Sequence, residues 1–202
     1  MRKGIMIDTE TLGMSDRSVV VQIHLAAFDL DDPESTVNHF GSTLPLDPQI
    51  RAGRTVDADT LVWWLSQEDD ARVIFASEET KGNRDDLYNF LQAAMTWLGH
   101  IVAASDETQV WGMGAGFDTR VIKNLVRDFE LDWPVHYRGE RDLRTLLAES
   151  GIVKESVPLV TGYVKHNARF DCLQQIRWYF AAERSLGQTV GDGSPHGLVV
   201  SS

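Results

Sequence analysis

Cysteine is nearly absent from the 202 residues: Cys172 stands alone, so no disulfide can form within the chain. A reducing compartment is the simplest setting for such a sequence. Long apolar runs are missing as well. The first ten residues, Met1–Glu10, carry two basic side chains, but the apolar stretch ends at Asp8. That is too short for a secretory signal, and no run elsewhere could span a membrane. A soluble cytoplasmic protein is expected. Basic charge is scarce: 19 Lys and Arg stand against 30 Asp and Glu, a formal net charge of −11. A module that coats duplex nucleic acid is held by Lys and Arg on phosphates, and this balance argues against one. It leaves room for an enzyme that meets a chain end through bound cations, because divalent metals invert the field that a phosphate senses. Internal repeats are also lacking.

What is present is enough apolar material, 43%, for one buried core. One domain is expected over residues 1–186, followed by a Gly- and Ser-rich tail, 187–202, with no periodicity and the composition of a disordered segment. The segment Gly4–Glu10 reads as a short strand. Val19–Leu30 reads as a longer β-branched strand buried on both faces, and Val37–Leu44 as a third strand returning after a turn. Asp57–Ser77 reads as one or two helices capped by Asp57 or Asp59, and Asn83–Ile101 as a long amphipathic helix. Further on, strands are expected at Gln109–Gly114 and Pro134–Arg138. Helices are expected at Phe117–Phe129, Asp142–Ser150 and Asn167–Leu186. Three antiparallel strands followed by alternating helices and strands predict an α/β fold with a mixed central sheet flanked by helices.

Asp8 and Glu10 lie one residue apart on the first strand. Alternation along a strand turns both carboxylates to one face, with Ile5 and Ile7 on the other. Nothing basic separates them, and a divalent cation would relieve their repulsion. All-oxygen ligands favour Mg²⁺ or Mn²⁺. A solvated acidic turn would show the same pattern. Asp118 follows Gly-Met-Gly-Ala-Gly-Phe at a strand–helix junction. Taken alone it reads first as a helix cap, although it also lies at the sheet edge where ligands gather. The stretch Lys165–Trp178 contains His166, Ala168 and Asp171 in the pattern His-x-Ala-x-x-Asp. Residues five apart on a helix point about 140° apart. If His166 and Asp171 act together, the histidine therefore lies in the loop before the helix and the aspartate in its first turn. Taken singly, His166 could be a structural histidine and Asp171 an acid favoured by the helix dipole.

The order of these elements, over about residues 4 to 186, resembles the DEDDh (DnaQ-like) family of 3′–5′ exonucleases on the ribonuclease-H-like fold. That family includes polymerase proofreading subunits, ribonuclease T and oligoribonuclease. The five family positions find Asp8, Glu10, Asp118, His166 and Asp171. Asp57–Arg72 and Arg141–Leu146 are similar to a narrower branch, that of the T4-type phage exonuclease and the mycobacterial exoribonuclease-like domain. Met113 departs from that branch, which carries a polar residue there, and Cys172 replaces the usual alanine after the last aspartate.

The resemblance implies two divalent cations, Mg²⁺ or Mn²⁺, about 3.5–4 Å apart. Asp8 would bridge both, Glu10 and Asp171 would complete the first site, and Asp118 would serve the second through water. His166 would be the general base. The substrate implied is a single-stranded DNA or RNA 3′ end, released as nucleoside 5′-monophosphates. Thr11 and Leu12 would hold the terminal nucleotide, with Leu12 as an apolar wedge or an ordinary core leucine. Lys165, Arg169, Arg141 and Arg144 lie close enough in sequence to contact phosphate, or are plain surface charge. Trp63 and Trp64 are about 100° apart on their helix, so one could stack a base while the other packs inward. A phosphodiesterase for small nucleotides and a non-catalytic nucleic-acid-binding module remain as alternatives, and a homodimer is left open.

Overall fold

The computed structural model of the chain describes residues 1–114 and 116–191, with side chains through residue 187. Five strands form one sheet in the order β3-β2-β1-β4-β5. β1 (Arg2–Thr11), β2 (Val20–Asp29) and β3 (Asn38–Thr43) make the expected antiparallel meander. β-Branched Val20, Val21 and Ile23 begin β2, and its buried run explains its interior place in the sheet. After β3 come a short helix α1 (Asp47–Arg51), then α2 (Ala58–Leu65) and α3 (Asp69–Arg72), which turns into a 3-10 segment at Val73–Ala76. Asp57 occupies the cap position of α2 but makes no capping bond; its Oδ2 accepts from the Met14 amide at 3.0 Å instead. The long helix α4 (Arg84–Ala103) starts at a full capping box. Asn83 accepts from the Asp85 and Asp86 amides, and Asp86 accepts from the Asn83 amide.

β4 (Glu107–Gly112) pairs parallel to β1, and α5 (Phe117–Asp128) follows it. The edge strand β5 is Glu140–Asp142, not the expected Pro134–Arg138. Pro134 has no amide proton to give a ladder, and His136 Nδ1 accepts from the Arg138 amide to open a 3-10 turn at Tyr137–Gly139. Pairing is thereby postponed by six residues at its start. α6 (Leu143–Ser150), capped by Asp142, and α7 (Ala168–Gly191) complete the chain. α7 continues five residues beyond the expected end at Leu186. Residues 192–202 of the expected tail lie outside the described residues.

Two apolar layers sandwich the sheet. Ile5 and Ile7 face one layer with Leu87, Leu91, Val121 and Leu125 of α4 and α5. Met6, Ala26 and Phe28 face the other with Leu143, Cys172 and Ile176 of α6 and α7. A smaller cluster of Leu12, Val19, Val21 and Trp64 fastens α2 across the end of β1. The β1–β2 turn is tied down by one buried guanidinium. Arg54 donates to the Ser18 carbonyl at 3.0 Å, the Asp16 carbonyl at 3.1 Å and Asp128 of α5 at 2.9 Å. Removing a partner from a satisfied buried ion pair strands the remaining groups, at about 3–5 kcal/mol. Arg54→Ala is therefore expected to lose about that much stability, read from urea unfolding. A change below about 1 kcal/mol would show that the tether does not hold the turn.

Candidate active site

The site forms where β1 ends. Asp8 and Glu10 share the face of Met6, over which α7 crosses, and Asp171 stands in the first turn of that helix. Carboxylate oxygens of Asp8, Glu10 and Asp171 all lie within 4.8 Å of one another. α7 is seated by its first residue: the Ala168 amide donates to Gln22 Oε1 of β2 at 2.8 Å. Gln22 is the register partner of Glu10. The helix origin and the acidic strand are thus indexed to each other.

Side chains that the sequence reading missed hold one oxygen of each of three acids. Gln175 Nε2 donates to Asp8 Oδ1 at 2.7 Å. The Tyr163 hydroxyl donates to Asp171 Oδ1. Thr9 gives both its amide, at 3.1 Å, and its hydroxyl, at 2.6 Å, to Asp118 Oδ1. Asp118 lies outside the three-carboxylate set but lines the same cleft, a space of about 690 Å³. Gln175 had a readable signal, since it falls four residues after Asp171 on one helical face. Thr9 sits between the paired acids on the opposite strand face. Tyr163 lies in an aperiodic loop and carried no signal.

Electrostatics follows from this crowding. Burial first, then the charges of Asp118, Glu10 and Asp171, push the Asp8 carboxyl well above its ordinary range, and the Gln175 bond only partly offsets them. Burial, Asp171 and Asp118 do the same to Glu10. Burial pushes Asp118 up to about 6 against the Thr9 hydrogen bonds, and it also raises Asp171. The donor set suits a divalent cation: three hard carboxylates converge, and Gln175 Oε1, buried beside Asp8, has no hydrogen-bond donor. A hydrated ion would satisfy both the excess charge and the orphaned oxygen.

His166 lies in the loop before α7, as the five-residue spacing requires, and lines the cleft with its backbone in the left-handed region at φ 60°. Its ring meets Trp63 edge-on, centroids 4.7 Å apart. Burial, then Lys165, lowers its pKa. The two tryptophans divide as their angular separation demands. Trp64 is buried and donates Nε1 to the Thr11 carbonyl at 2.9 Å, whereas Trp63 is 41% exposed at the cleft. Thr11, Lys165 and Arg144 line the cleft. Leu12 does not. It is buried with Val19, Val21 and Trp64, because the step in register between Glu10 and Thr11 turns it under α2, so the expected wedge is a core leucine. Arg169 is exposed on α7 outside the cleft lining, and its charge acts on His24 and His39. Arg141 is spent on the Arg138 and Glu140 carbonyls.

A mixed sheet flanked by helices, with an acidic cluster fit for a divalent cation at the end of its central strand, is the arrangement of the ribonuclease-H-like fold. The family described as "3'-5' exoribonuclease Rv2179c-like domain" matches residues 3–182, and the chain belongs to it. It is a 3′–5′ exonuclease of the DnaQ-like family. The exodeoxyribonuclease of Enterobacteria phage T4 is 27% identical over 198 residues, covering 85% of each chain. Structures of E. coli exonuclease I share the fold. The complex with a 5cy-dA13 oligonucleotide gives a TM-score of 0.52 at 13% identity, over 95% of this chain and 43% of that one. The zinc-bound single-stranded DNA complex gives 0.51 at 12%, over 94% and 41%. This chain spans less than half the length of exonuclease I.

The raised carboxyls have a consequence for the metal-free protein. Their folded pKa values exceed the unfolded ones, so the folded state binds more protons. Stability from these groups is greatest at low pH and is lost as pH rises from about 4 through the folded values, about 6 for Asp118. Asp8→Asn removes one repelling charge. At pH 8 in EDTA it is expected to gain on the order of 1–2 kcal/mol, or about 2–8 °C in Tm, while losing most of the stabilisation that Mn²⁺ gives the parent. An unchanged or lower melting temperature in EDTA would contradict the like-charge account.

Proposed function

We propose that the chain removes nucleoside 5′-monophosphates one at a time from the 3′ end of single-stranded DNA or RNA, with two divalent cations and His166 as general base. The observation that carries this reading is the convergence of Asp8, Glu10, Asp118, Asp171 and His166 on one cleft. Asp8, Glu10 and Asp171 would hold one cation, and Asp8 with Asp118 the other. When bound, the ions supply positive charge that polarises the scissile phosphate and acidifies the attacking water. His166 takes the proton of that water on a ring nitrogen. Its lowered pKa keeps the imidazole neutral, and so able to accept, at physiological pH. Gln175, Tyr163 and Thr9 fix the rotamers of Asp8, Asp171 and Asp118, so little reorganisation is needed as substrate arrives. Thr11 and Lys165 line the cleft, where the Thr11 backbone would hold the terminal sugar and Lys165 the phosphate. Single strands are supported by the exonuclease I complexes, whose ligand is single-stranded DNA. The names of the relatives divide between ribose and deoxyribose. The buried, unpaired Cys172 accords with a reducing cytoplasm.

Matched RNA and DNA oligomers labelled at the 5′ end should shorten as a ladder in Mg²⁺ or Mn²⁺, and a blocked 3′ terminus should resist. Cuts within a circular single strand would refute the reaction assigned. His166→Ala is expected to lower kcat by about 10²–10⁴-fold with Mn²⁺ affinity nearly intact. The acidic limb of the parent's pH–rate profile should fall below the ordinary histidine value of about 6.5 and flatten in the variant. Rescue by excess Mn²⁺ alone would make His166 a ligand instead.

A further inference from the structure

The cleft does not close on every side. A second depression of about 340 Å³ runs beside it along α6 and the loop that follows. Met113, Arg144 and Lys154 line both spaces, so the two are continuous. The floor of the second is apolar, formed by Leu147, Ile152 and Val153, with Val153 61% exposed. Glu155 also borders it. Two cations flank the passage. The Arg144 guanidinium lies over Gly114, where φ is 127° and where a Cβ would come within 3.1 Å of Cζ, so only glycine lets the side chain lie down there. Lys154 Nζ sits 5.3 Å from the centre of the Trp178 ring, whose Nε1 donates to the Lys154 carbonyl at 3.3 Å. Among the described residues neither cation forms an ion pair. Some exposed cations, Arg2, Arg51, Arg72 and Lys81 among them, are paired with a carboxylate, whereas these two stay available and stand together at the mouth of one groove. In a chain of net charge −11, unpaired cations on either side of an apolar groove are fit for an incoming anion.

We propose that this groove receives the nucleotide on the 5′ side of the scissile bond, with Arg144 and Lys154 bracketing the phosphate immediately upstream. The assignment rests on the exonuclease reading. A 3′-terminal nucleotide has nothing beyond its own hydroxyl, so the strand leaves the cleft on its 5′ side, and a continuous groove flanked by cations is fit to receive it. The division of chemistry fits a nucleotide unit. Charge at the passage matches a phosphate, while Met113 and the aliphatic floor offer no hydrogen-bonding group and match a sugar edge or the face of any base. The groove therefore reads the backbone and tolerates any sequence.

The test uses three substrates with the full chain and Mn²⁺. One is a single-stranded oligomer, the second carries a neutral methylphosphonate at the linkage directly 5′ of the scissile one, and the third is p-nitrophenyl thymidine 5′-monophosphate, which has no upstream phosphate. In the parent the methylphosphonate is expected to raise KM about tenfold, the scale of one lost charge-assisted contact. In Arg144→Leu/Lys154→Met the natural oligomer should bind about as poorly, and the methylphosphonate penalty should vanish. Val153→Glu, which places an acid on the floor, should lower the ratio of kcat/KM on oligomer to that on the nitrophenyl ester. An equal methylphosphonate penalty in parent and double variant, with oligomer and ester both hydrolysed, overturns the groove assignment alone. Failure of the parent on both substrates overturns the exonuclease reading and the groove with it.

Discussion

Like charges held close in a poorly hydrated place are the constraint around which this protein is organised. Asp8, Glu10 and Asp171 present oxygens within 4.8 Å of one another, and Asp118 adds its charge from the neighbouring strand–helix junction. Coulomb repulsion at such separations is worth about 1 kcal/mol in water and several times that where the effective dielectric falls. A sequence free to relax would splay the four apart. Here they cannot separate, because each stands on an element that is itself fixed. β1 is hydrogen-bonded on both sides, α7 is docked at Gln22, and α5 is tied to β1 through Thr9. The repulsion is retained in the metal-free fold as a standing preference for cations.

The two apolar layers supply the stability that this arrangement costs. On the α7 side the approach to the sheet is close, and small side chains permit it. Ala168 and Cys172 are fully buried, and the Cys172 thiol lies 3.4 Å from the His24 carbonyl and 3.6 Å from the Met6 carbonyl. Cysteine in place of alanine therefore reads as a packing choice. Burial raises its pKa well above the ordinary thiol value, so the group stays a protonated hydrophobe beside the site without entering its chemistry. On the opposite side, α4 and α5 cover Ile5 and Ile7, which keeps β1 straight behind the acids.

Much of this was legible beforehand, for reasons that differ from residue to residue. The meander and the long helices announce themselves by alternation and by 3.6-residue spacing, and the placement of His166 in a loop follows from helical angles once it is taken to act with Asp171. β5 was misplaced because Val135, buried under the sheet edge, gives an apolar signal while Pro134 and the turn around Gly139 forbid pairing there. Leu12 was left open between wedge and core because a slip of register decides which way it faces, and a slip has no signature in composition. Arg169 was grouped with the phosphate contacts by sequence proximity, yet one turn of α7 aims it elsewhere. Thr9 and Tyr163 escaped because one meets an acid brought in from 109 residues away and the other sits in an aperiodic loop; Gln175, spaced four residues from Asp171, was readable as a neighbour of the acids but not as the partner of Asp8, 167 residues distant.

The acidic balance of the chain argued against a module that coats duplex nucleic acid, and it left room for an enzyme that meets a chain end. A protein that coats a duplex needs positive charge spread over a face. A protein that takes hold of one chain end needs it only along the path of a few phosphates. Elsewhere some cations, such as Arg2, Arg51 and Lys81, are neutralised by neighbouring carboxylates. At the cleft Arg144, Lys154 and Lys165 are left without such partners among the described residues. The acids inside the cleft would repel phosphate if bare; cations held by Asp8, Glu10 and Asp171 would relieve that repulsion and reverse the sign of the field facing the strand. The surrounding negative surface then disfavours lengthwise adsorption of a polyanion and leaves the end-on approach as the attractive one. A net charge of −11 thus accords with the proposed end-on mode and with the expected absence of a coating mode.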